Sequence, residues 1–466
     1  MNGTTIQSEA VEDLKAKVRG RIIQPETDGY DSVRKIWNGV IDKRPGVIIQ
    51  CTGTADVIAA VNFARDNKLP LAVRGGGHNV SGNSVCNDGV VIDLSPMRTV
   101  RVDPATVTAR VAGGAKLGDI DAETQVHGLS LPIGVVSATG IGGLSLHGGM
   151  GFLTRKYGLT CDHLVSADVV TADGKVLVAD AKNNSDLLWA LRGGGGNFGV
   201  VTSFEFKLER VGPEVWMGII MYPVSEAKRV MKAWLDFMKT APDEVSSIAI
   251  YWSAPHEEPV PKQLQGTPVA VLAACWCGPM DKGETALKPI REVTTPVVDL
   301  SGPMPFLMAQ KLFDPEYPNG RRYYWKSLYL NPLTDDAIDM LGEYAASRPS
   351  SLSSIDVWAL GGAMTRVKPD QSAFFKRDAP YLLGIESNWE NPKDDDANIA
   401  WTRKLYKDAE RFSPGGLYYN FPGFMEEGDE LLKKSYGSNY ERLQQVKAKY
   451  DPNNLFRFNL RLEGKN

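Results

Sequence analysis

Cysteine is scarce in this 466-residue chain: five residues, Cys51, Cys86, Cys161, Cys275 and Cys277, form an odd and scattered set. Such a set in a chain of this length argues against a disulfide framework and fits a reducing compartment. Cys275 and Cys277 are separated by one residue and have no second pair nearby, which points to buried strand cysteines and not to a zinc site. Histidine is equally sparse. The five, His78, His127, His147, His163 and His256, never recur at i, i+4, so the sequence lacks a helical metal-binding pair. An excess of charge is missing too: 52 Lys+Arg stand against 56 Asp+Glu, a formal net charge of -4, and offer no basic field to collect nucleic-acid phosphates. No run of about 18 apolar residues occurs. The opening MNGTTIQSEAVEDLKAKVRG mixes acids and bases without an apolar stretch. A cytoplasmic protein with neither a membrane nor a nucleic-acid partner is expected.

Glycine, by contrast, is abundant. The 46 glycines exceed the roughly 7% of ordinary chains, and they cluster at Gly75–Gly77, from Gly140 to Gly151 and from Gly193 to Gly199. Glycine lets backbone approach a ligand closely, and bare amides at such places cradle anions. This density predicts a phosphate-bearing cofactor before it says anything about substrate.

Around the glycines, TADVIAAVNFARDNKL reads as a helix with Thr54 at its N-cap, followed by the strand LPLAVRG. GVVIDLS reads as a buried strand, RVDPATVTARVAGG as two strands about a turn, and KLGDIDAETQVHGL as a helix. Strands at Val165–Val170, Lys175–Val178 and Val200–Leu208 complete an α+β unit. Beyond Gly212-Pro213 the glycine runs stop and aromatic alternating segments take over: SSIAIYW, VAVLAACW, RRYYWKSLYL and SSIDVWAL. These predict a large antiparallel sheet with helices such as SEAKRVMKAWLDFM. The segment NYERLQQVKAKYDPNNLFRFN reads as a final amphipathic helix.

Gly194 to Gly199 satisfies G-x-G-x-x-G, but a Rossmann site needs a strand before it and a helix after. Here the helical SDLLWAL precedes and the strand VVTSFEFKL follows, so a nicotinamide dehydrogenase is rejected. In their order and spacing, RGGGHNVSG (Arg74 to Gly82), GVVIDLS, GIGGLSLHGGMGFLTRKYGLTCDHL (Gly140 to Leu164), RGGGGNFGVVT (Arg192 to Thr202), YYNF (Tyr418 to Phe421) and the terminal YGSNYERLQQVKAKYDPNNLFRFN resemble the berberine-bridge-enzyme-like branch of the vanillyl-alcohol-oxidase family. The resemblance implies a discontinuous FAD-binding domain, residues 1–208 with a return at 404–466. Inserted at 209–403 it implies a substrate domain with a large antiparallel sheet roofed by helices.

The same resemblance supplies site residues. Arg74, Gly75, Gly76, Gly77, Asn79, Ser81 and Gly82 match the pyrophosphate loop, and His78 the histidine that carries the flavin covalently. A second, cysteinyl link is not expected, because Val136 stands where many relatives have the cysteine, and the attachment is then single. Gly140, Gly142, Gly143, Gly148, Gly149 and Gly151 match the stretch that runs along the flavin; Tyr157, Gly158 and Asp162 match the next motif, from which His163 departs. Phe198, Gly199 and Val200 match an adenine-side stretch, and Asn420 and Asn459 polar contacts to the ring system. Thr139 matches the gatekeeper that admits molecular oxygen.

A flavin oxidises by taking hydride, so the protein must place a C–H over the ring and remove a proton from the adjacent O–H or N–H. Tyr418 matches the family's base; Lys326 is the expected cation beside it, and Asp356 and Glu386, carboxylates in apolar strands, are the expected second base. The resulting expectation is a covalent-FAD oxidase that takes a small-molecule alcohol or sugar hemiacetal and returns electrons to oxygen as hydrogen peroxide. The alternatives are oxidation of a cyclic amine C–N bond, or a dehydrogenase with another acceptor.

Overall fold

A computed structural model describes residues 6, 8–426, 428–459 and 462–464. Its first layer is a four-stranded sheet in the order Arg21–Ile23, Val47–Gln50, Val90–Asp93, Leu71–Arg74, the last three parallel. Apolar on nearly every residue, these short strands are buried on both faces, as parallel strands require. The helix Thr54–Asp66 covers one face with Val57, Ala60, Val61 and Ala64. Its N-cap is Gly53 and not Thr54. No side chain caps it; Asp56 in its first turn instead ties down the preceding chain, accepting hydrogen bonds from the backbone N–H of Arg19 (2.9 Å), Gly20 (3.2 Å) and Thr52 (2.9 Å).

The second layer is an antiparallel sheet in the order Val100–Asp103, Thr108–Ala112, Val200–Lys207, Leu164–Val170, Val176–Ala179. Helices Leu117–Gln125, Ser185–Leu191 and Tyr440–Tyr450 pack into its core. The helix Ser185–Leu191 precedes the third glycine run and strand Val200–Lys207 follows it, the reverse of a Rossmann turn.

The third layer is an eight-stranded antiparallel sheet, its main path Val298–Asp299, Glu214–Pro223, Pro268–Trp276, Val245–Ser253, Ser354–Ala359, Tyr381–Trp389, Arg322–Leu330. Helices Ala227–Met238, Gly283–Arg291, Asp335–Ala346 and Asp395–Ala409 cover one face. Alternation sorts each strand. In Val245–Ser253, Val245, Ala249 and Tyr251 meet the helices, while Ile248, Ile250 and Trp252 face the first two layers. The fold is α+β with a discontinuous cofactor-binding region and a separate sheet-rich substrate domain.

The C-terminal segment is organised around a buried ion pair. Lys447 and Asp451, both fully buried, lie 2.6 Å apart. Lys447 Nζ also donates to the carbonyls of Asn197 (2.9 Å) and Phe456 (3.0 Å), and Asp451 accepts from the N–H of Leu455 and Phe456 (2.8 Å each). Asp451→Ala strands a buried ammonium and is expected to cost about 3–5 kcal/mol in urea denaturation; a loss below about 1 kcal/mol is the result expected of a mere surface pair.

Candidate active site

One cavity touches all three layers. Its floor is the seam between the first two sheets, lined by Leu71, Ala72 and Val73 on one side and Val200, Val201 and Phe204 on the other. Gly75, Gly76, Gly77, Gly140, Gly142, Gly143, Gly196 and Gly199 form the glycine walls, with Asn79, Thr139, Asn420 and Asn459 among them. The roof is the large sheet, with Ile250, Trp252, Trp325, Trp358, Asp356 and Glu386. No lysine or arginine is among the described residues lining it. Among the described residues there is also no group of three or more metal-ligating side chains, and no helix long and apolar enough to cross a membrane.

His78 lines this cavity against Trp37, ring centroids 3.9 Å apart and planes 19° from parallel. Its Nε2 is buried and has no hydrogen-bond partner among the described residues. Burial, helped by the charge of Lys116 and opposed by its own backbone, pushes the imidazole down to about 3, so the ring is neutral at physiological pH. A neutral imidazole with a lone pair free of hydrogen bonds is a nucleophile. A Cβ on Gly143 would meet nothing within 4 Å, so that backbone stands open to the cavity. An orphaned imidazole nitrogen, open glycine backbone and the absence of competing side-chain cations fit a bound FAD: the glycine loops would hold its phosphates and His78 would meet its ring.

Tyr418 lies over the same space. Its hydroxyl oxygen accepts from Gly149 N–H (3.0 Å) and Asn420 Nδ2 (2.8 Å). Burial pushes the phenol above its ordinary value, and these two donors oppose the rise. The YYNF segment is a loop, not a strand, yet its side chains still diverge: Tyr418 lines the cavity and Tyr419 stacks on Tyr436 at 5.3 Å. Ser327 Oγ bridges the Tyr418 N–H (3.1 Å) and the carbonyls of Tyr418 (3.1 Å) and Phe421 (3.2 Å), docking the loop on the roof.

Lys326 is not beside Tyr418. It follows Trp325 in the strand and therefore faces the other way, with Nζ 4.3 Å from the Tyr406 ring centre and 3.4 Å from Glu426 Oε2. Asp356 and Glu386 do reach the cavity. They hydrogen-bond each other and Tyr317 donates to Glu386 Oε2 at 2.7 Å; burial pushes both carboxyls up, joined in Glu386 by the charge of Asp356 and opposed in Asp356 by its hydrogen bonds and the charge of Arg348.

Several residues expected at the cofactor stand behind its walls. Arg74 lies outside the cavity lining, donating to Asp93 Oδ2 and to the Val33 carbonyl, both at 2.7 Å. Ser81 donates to Asn79 Oδ1 (3.0 Å), and the Gly82 carbonyl accepts from Lys43 Nζ (2.8 Å), so both shape the loop. Gly148, Gly149 and Gly151 brace the neighbouring segments, where a side chain would collide with Phe374, Thr160 and the Ile133 carbonyl. Asp162 is pinned by Arg377 (2.7 Å) with Gly158 against it; Tyr157 reaches the Arg210 carbonyl, and Phe198 is core. His163 is buried 3.5 Å from Glu209, away from the cavity. The reason is common to all: a ligand loop needs a second layer to hold it, and the motif includes both.

Sequence reasoning missed Trp37, Tyr317 and His147. His147 lines the cavity, its Nδ1 2.8 Å from the Gly143 carbonyl, and it hydrogen-bonds Asn459. It sits inside the Gly140–Gly151 motif, which was a signal; Trp37 and Tyr317 lie in segments without one.

A glycine-walled cavity between two α+β layers, roofed by a large antiparallel sheet, defines an FAD-linked oxidoreductase. Residues 45–180 match the FAD binding domain family, and residues 417–462 match the family described as berberine and berberine like. The FAD-linked oxidoreductase YgaK of Bacillus subtilis is 33% identical over 451 residues, 95% of this chain and 97% of that one. The structure of 6-hydroxy-D-nicotine oxidase from Arthrobacter nicotinovorans superposes with a TM-score of 0.85 at 26% identity, covering 96% of this chain and 98% of that one. Physcomitrella patens BBE-like 1 shares the fold with a TM-score of 0.88 at 24% identity, covering 98% and 99%. The chain belongs to the berberine-bridge-enzyme-like family of FAD-linked oxidoreductases, and it is an enzyme that passes hydride from a small organic substrate to FAD.

The placement of Arg74 generates a test. Burial alone would raise Asp93; the Arg74 guanidinium and the Ser95 and Gln50 donors outweigh it and hold the carboxyl below its ordinary value. Arg74→Met is expected to cost about 3–5 kcal/mol at neutral pH. The lone carboxyl of the variant, raised by burial, takes up a proton on folding as pH falls, so the gap from wild type should narrow toward about pH 4. Urea titrations at several pH values measure this; a gap independent of pH would show that the pair is not what the variant loses.

Proposed function

We propose that the enzyme is an oxidase whose FAD is attached covalently through His78 alone, that molecular oxygen is its acceptor, and that it works in the cytoplasm. The observation that carries the attachment is the neutral, orphaned imidazole of His78 in a glycine-walled cavity. FAD supplies a ring that accepts two electrons as hydride. Trp37 holds the imidazole flat, and the Gly75–Gly77 loop fixes its depth. Val136 lines the same cavity and cannot form a thioether, which supports a single link; Cys161 is buried behind the lining, in the apolar cluster that also holds Leu159 and Met364. Thr139, also on the lining, is small enough to leave oxygen a path. The five free thiols suit a reducing compartment.

Tyr418 is the residue proposed to hydrogen-bond the reacting O–H or N–H, as base or as immediate relay. Two N–H groups already point at its oxygen, so its own proton is directed elsewhere, and the open side is the cavity. Removing a group that handles the proton raises the barrier without loosening the cofactor.

Three outcomes are expected. Acid-precipitated wild type stays yellow and releases one histidyl flavopeptide, whereas His78→Ala gives a colourless pellet; colour retained by the variant, or a cysteinyl flavopeptide, contradicts the assignment. In anaerobic rapid mixing, Tyr418→Phe slows flavin reduction at least about 100-fold, and Tyr419→Phe changes it less than about 3-fold. The opposite order would mean the wrong tyrosine faces the ring. Reduced enzyme mixed with oxygen should yield hydrogen peroxide; reoxidation only by a dye or quinone makes it a dehydrogenase.

A further inference from the structure

We propose that the substrate is an amine, bound as its cation on the Asp356–Glu386 pair and oxidised at the carbon next to nitrogen. This rests on the hydride-transfer reading above and narrows it.

The two carboxyls come from adjacent strands. Asp356 is paired in register with Gly384, and Glu386 lies two residues along on the same face. A methyl on Gly384 would stand 3.6 Å from Asp356 Cβ and 3.7 Å from Glu386 Oε1, so the glycine keeps the space between the acids open. Their partners are few. Tyr317 donates to Glu386, the acids hydrogen-bond each other, and Ser354 donates to Asp356. Asp356 lines the cavity at 5% exposed, and its Oδ1 is buried without a hydrogen-bond partner among the described residues. Arg348, whose charge reaches Asp356, spends its hydrogen bonds on the carbonyls of Tyr251 (3.0 Å), Ser353 (2.7 Å) and Trp252 (3.2 Å) and on the Ser253 hydroxyl (3.3 Å).

Two carboxyls this close do not both ionise near neutral pH: they share a proton and together carry at most one negative charge. Buried charge is costly without a counter-ion; Arg348 eases Asp356 only through its field, and no lysine or arginine among the described lining residues meets the pair from the cavity side. Around the pair the lining offers the indoles of Trp252, Trp325 and Trp358, whose ring faces attract cations. A neutral polyol would add no counter-charge to the field of Arg348; an ammonium adds one in direct contact and meets the indoles at once.

The chemistry then closes. The substrate ammonium gives its N–H proton to the carboxylate pair, which frees the nitrogen lone pair. The neighbouring C–H bond breaks, its hydrogen leaves with both electrons to the oxidised flavin, and the lone pair forms the C=N bond of an iminium ion. Carbon is oxidised by two electrons, flavin is reduced by two, and the proton rests on the acid pair.

Phenyltrimethylammonium and its neutral carbon isostere tert-butylbenzene separate charge from shape. Titrated into oxidised holoenzyme and followed by flavin absorbance, the cation is expected to bind at least about 10-fold tighter than the isostere. It should lose at least about 10-fold in Asp356→Asn and in Glu386→Gln, both checked for full flavin content. Anaerobic α-ethylbenzylamine should reduce the flavin at least about 10-fold faster than α-ethylbenzyl alcohol. A cation that binds no tighter than its isostere, or that binds unchanged in both variants, overturns the proposal, as does bleaching by the alcohol or by cellobiose with the amine inert. Should either variant fail to load flavin, the wild-type comparison of cation and isostere decides. Failure of the underlying reading is distinct: the cation binds through the acids, dithionite bleaches the flavin, and no amine, alcohol or sugar does, which overturns the oxidation half.

Discussion

Backbone touches backbone between Gly76 and Gly140, and the rest of the site depends on that contact. A Cβ on either residue would overlap the backbone nitrogen of the other. Gly76 belongs to the loop after the four-stranded sheet, Gly140 to the segment that opens the helix Ile141–Leu146 beside the five-stranded sheet. Their approach clamps the two layers at the cavity wall and holds His78, two residues on, at a set distance from Gly142 and Gly143. Any side chain at this junction would pry the layers apart.

Charge is distributed around the cavity by the same logic. Three buried cations behind its walls are kept off the lining and tied to acids: Arg74 to Asp93, Arg377 to Asp162, Lys447 to Asp451. Each of these pairs supports a loop that reaches the cavity without itself lining it. The interior is left with neutral imidazoles, bare amides and two acids. Such a lining receives phosphate through oriented N–H groups and keeps its two acids in the roof.

The roof and the Tyr418 loop act as a unit. Ser327 binds the loop at its backbone, Gly423 N–H donates to the Trp325 carbonyl (2.6 Å), and Glu426 is gripped by Arg403 (2.6 Å) and by the Tyr324 hydroxyl. Lys326 completes this grip from the helix side of the sheet. Its place explains why a residue one step from the cavity contributes to loop docking and not to proton transfer.

Much of the architecture was legible before any coordinates. Period-two and helical patterns located most strands and helices to within a few residues, because burial of one face repeats along an element. Glycine clustering announced the cofactor cradle, and the order of helix, glycines and strand at Ser185–Lys207 excluded the Rossmann reading on local chemistry alone. What could not be read was direction. Lys326 and Trp325 are neighbours in sequence, and only the pairing of the sheet decides which faces the cavity. Arg74, Asp162 and Phe198 lie in the cofactor motifs yet stand behind the lining, since a motif records everything a loop needs and does not separate what touches from what supports. Asp356 and Glu386 are 30 residues apart in the chain, and the stacking of Trp37 on His78 spans 41. Such meetings depend on strand register and on how layers pack, and those are set by the whole core at once, not by any local stretch of residues.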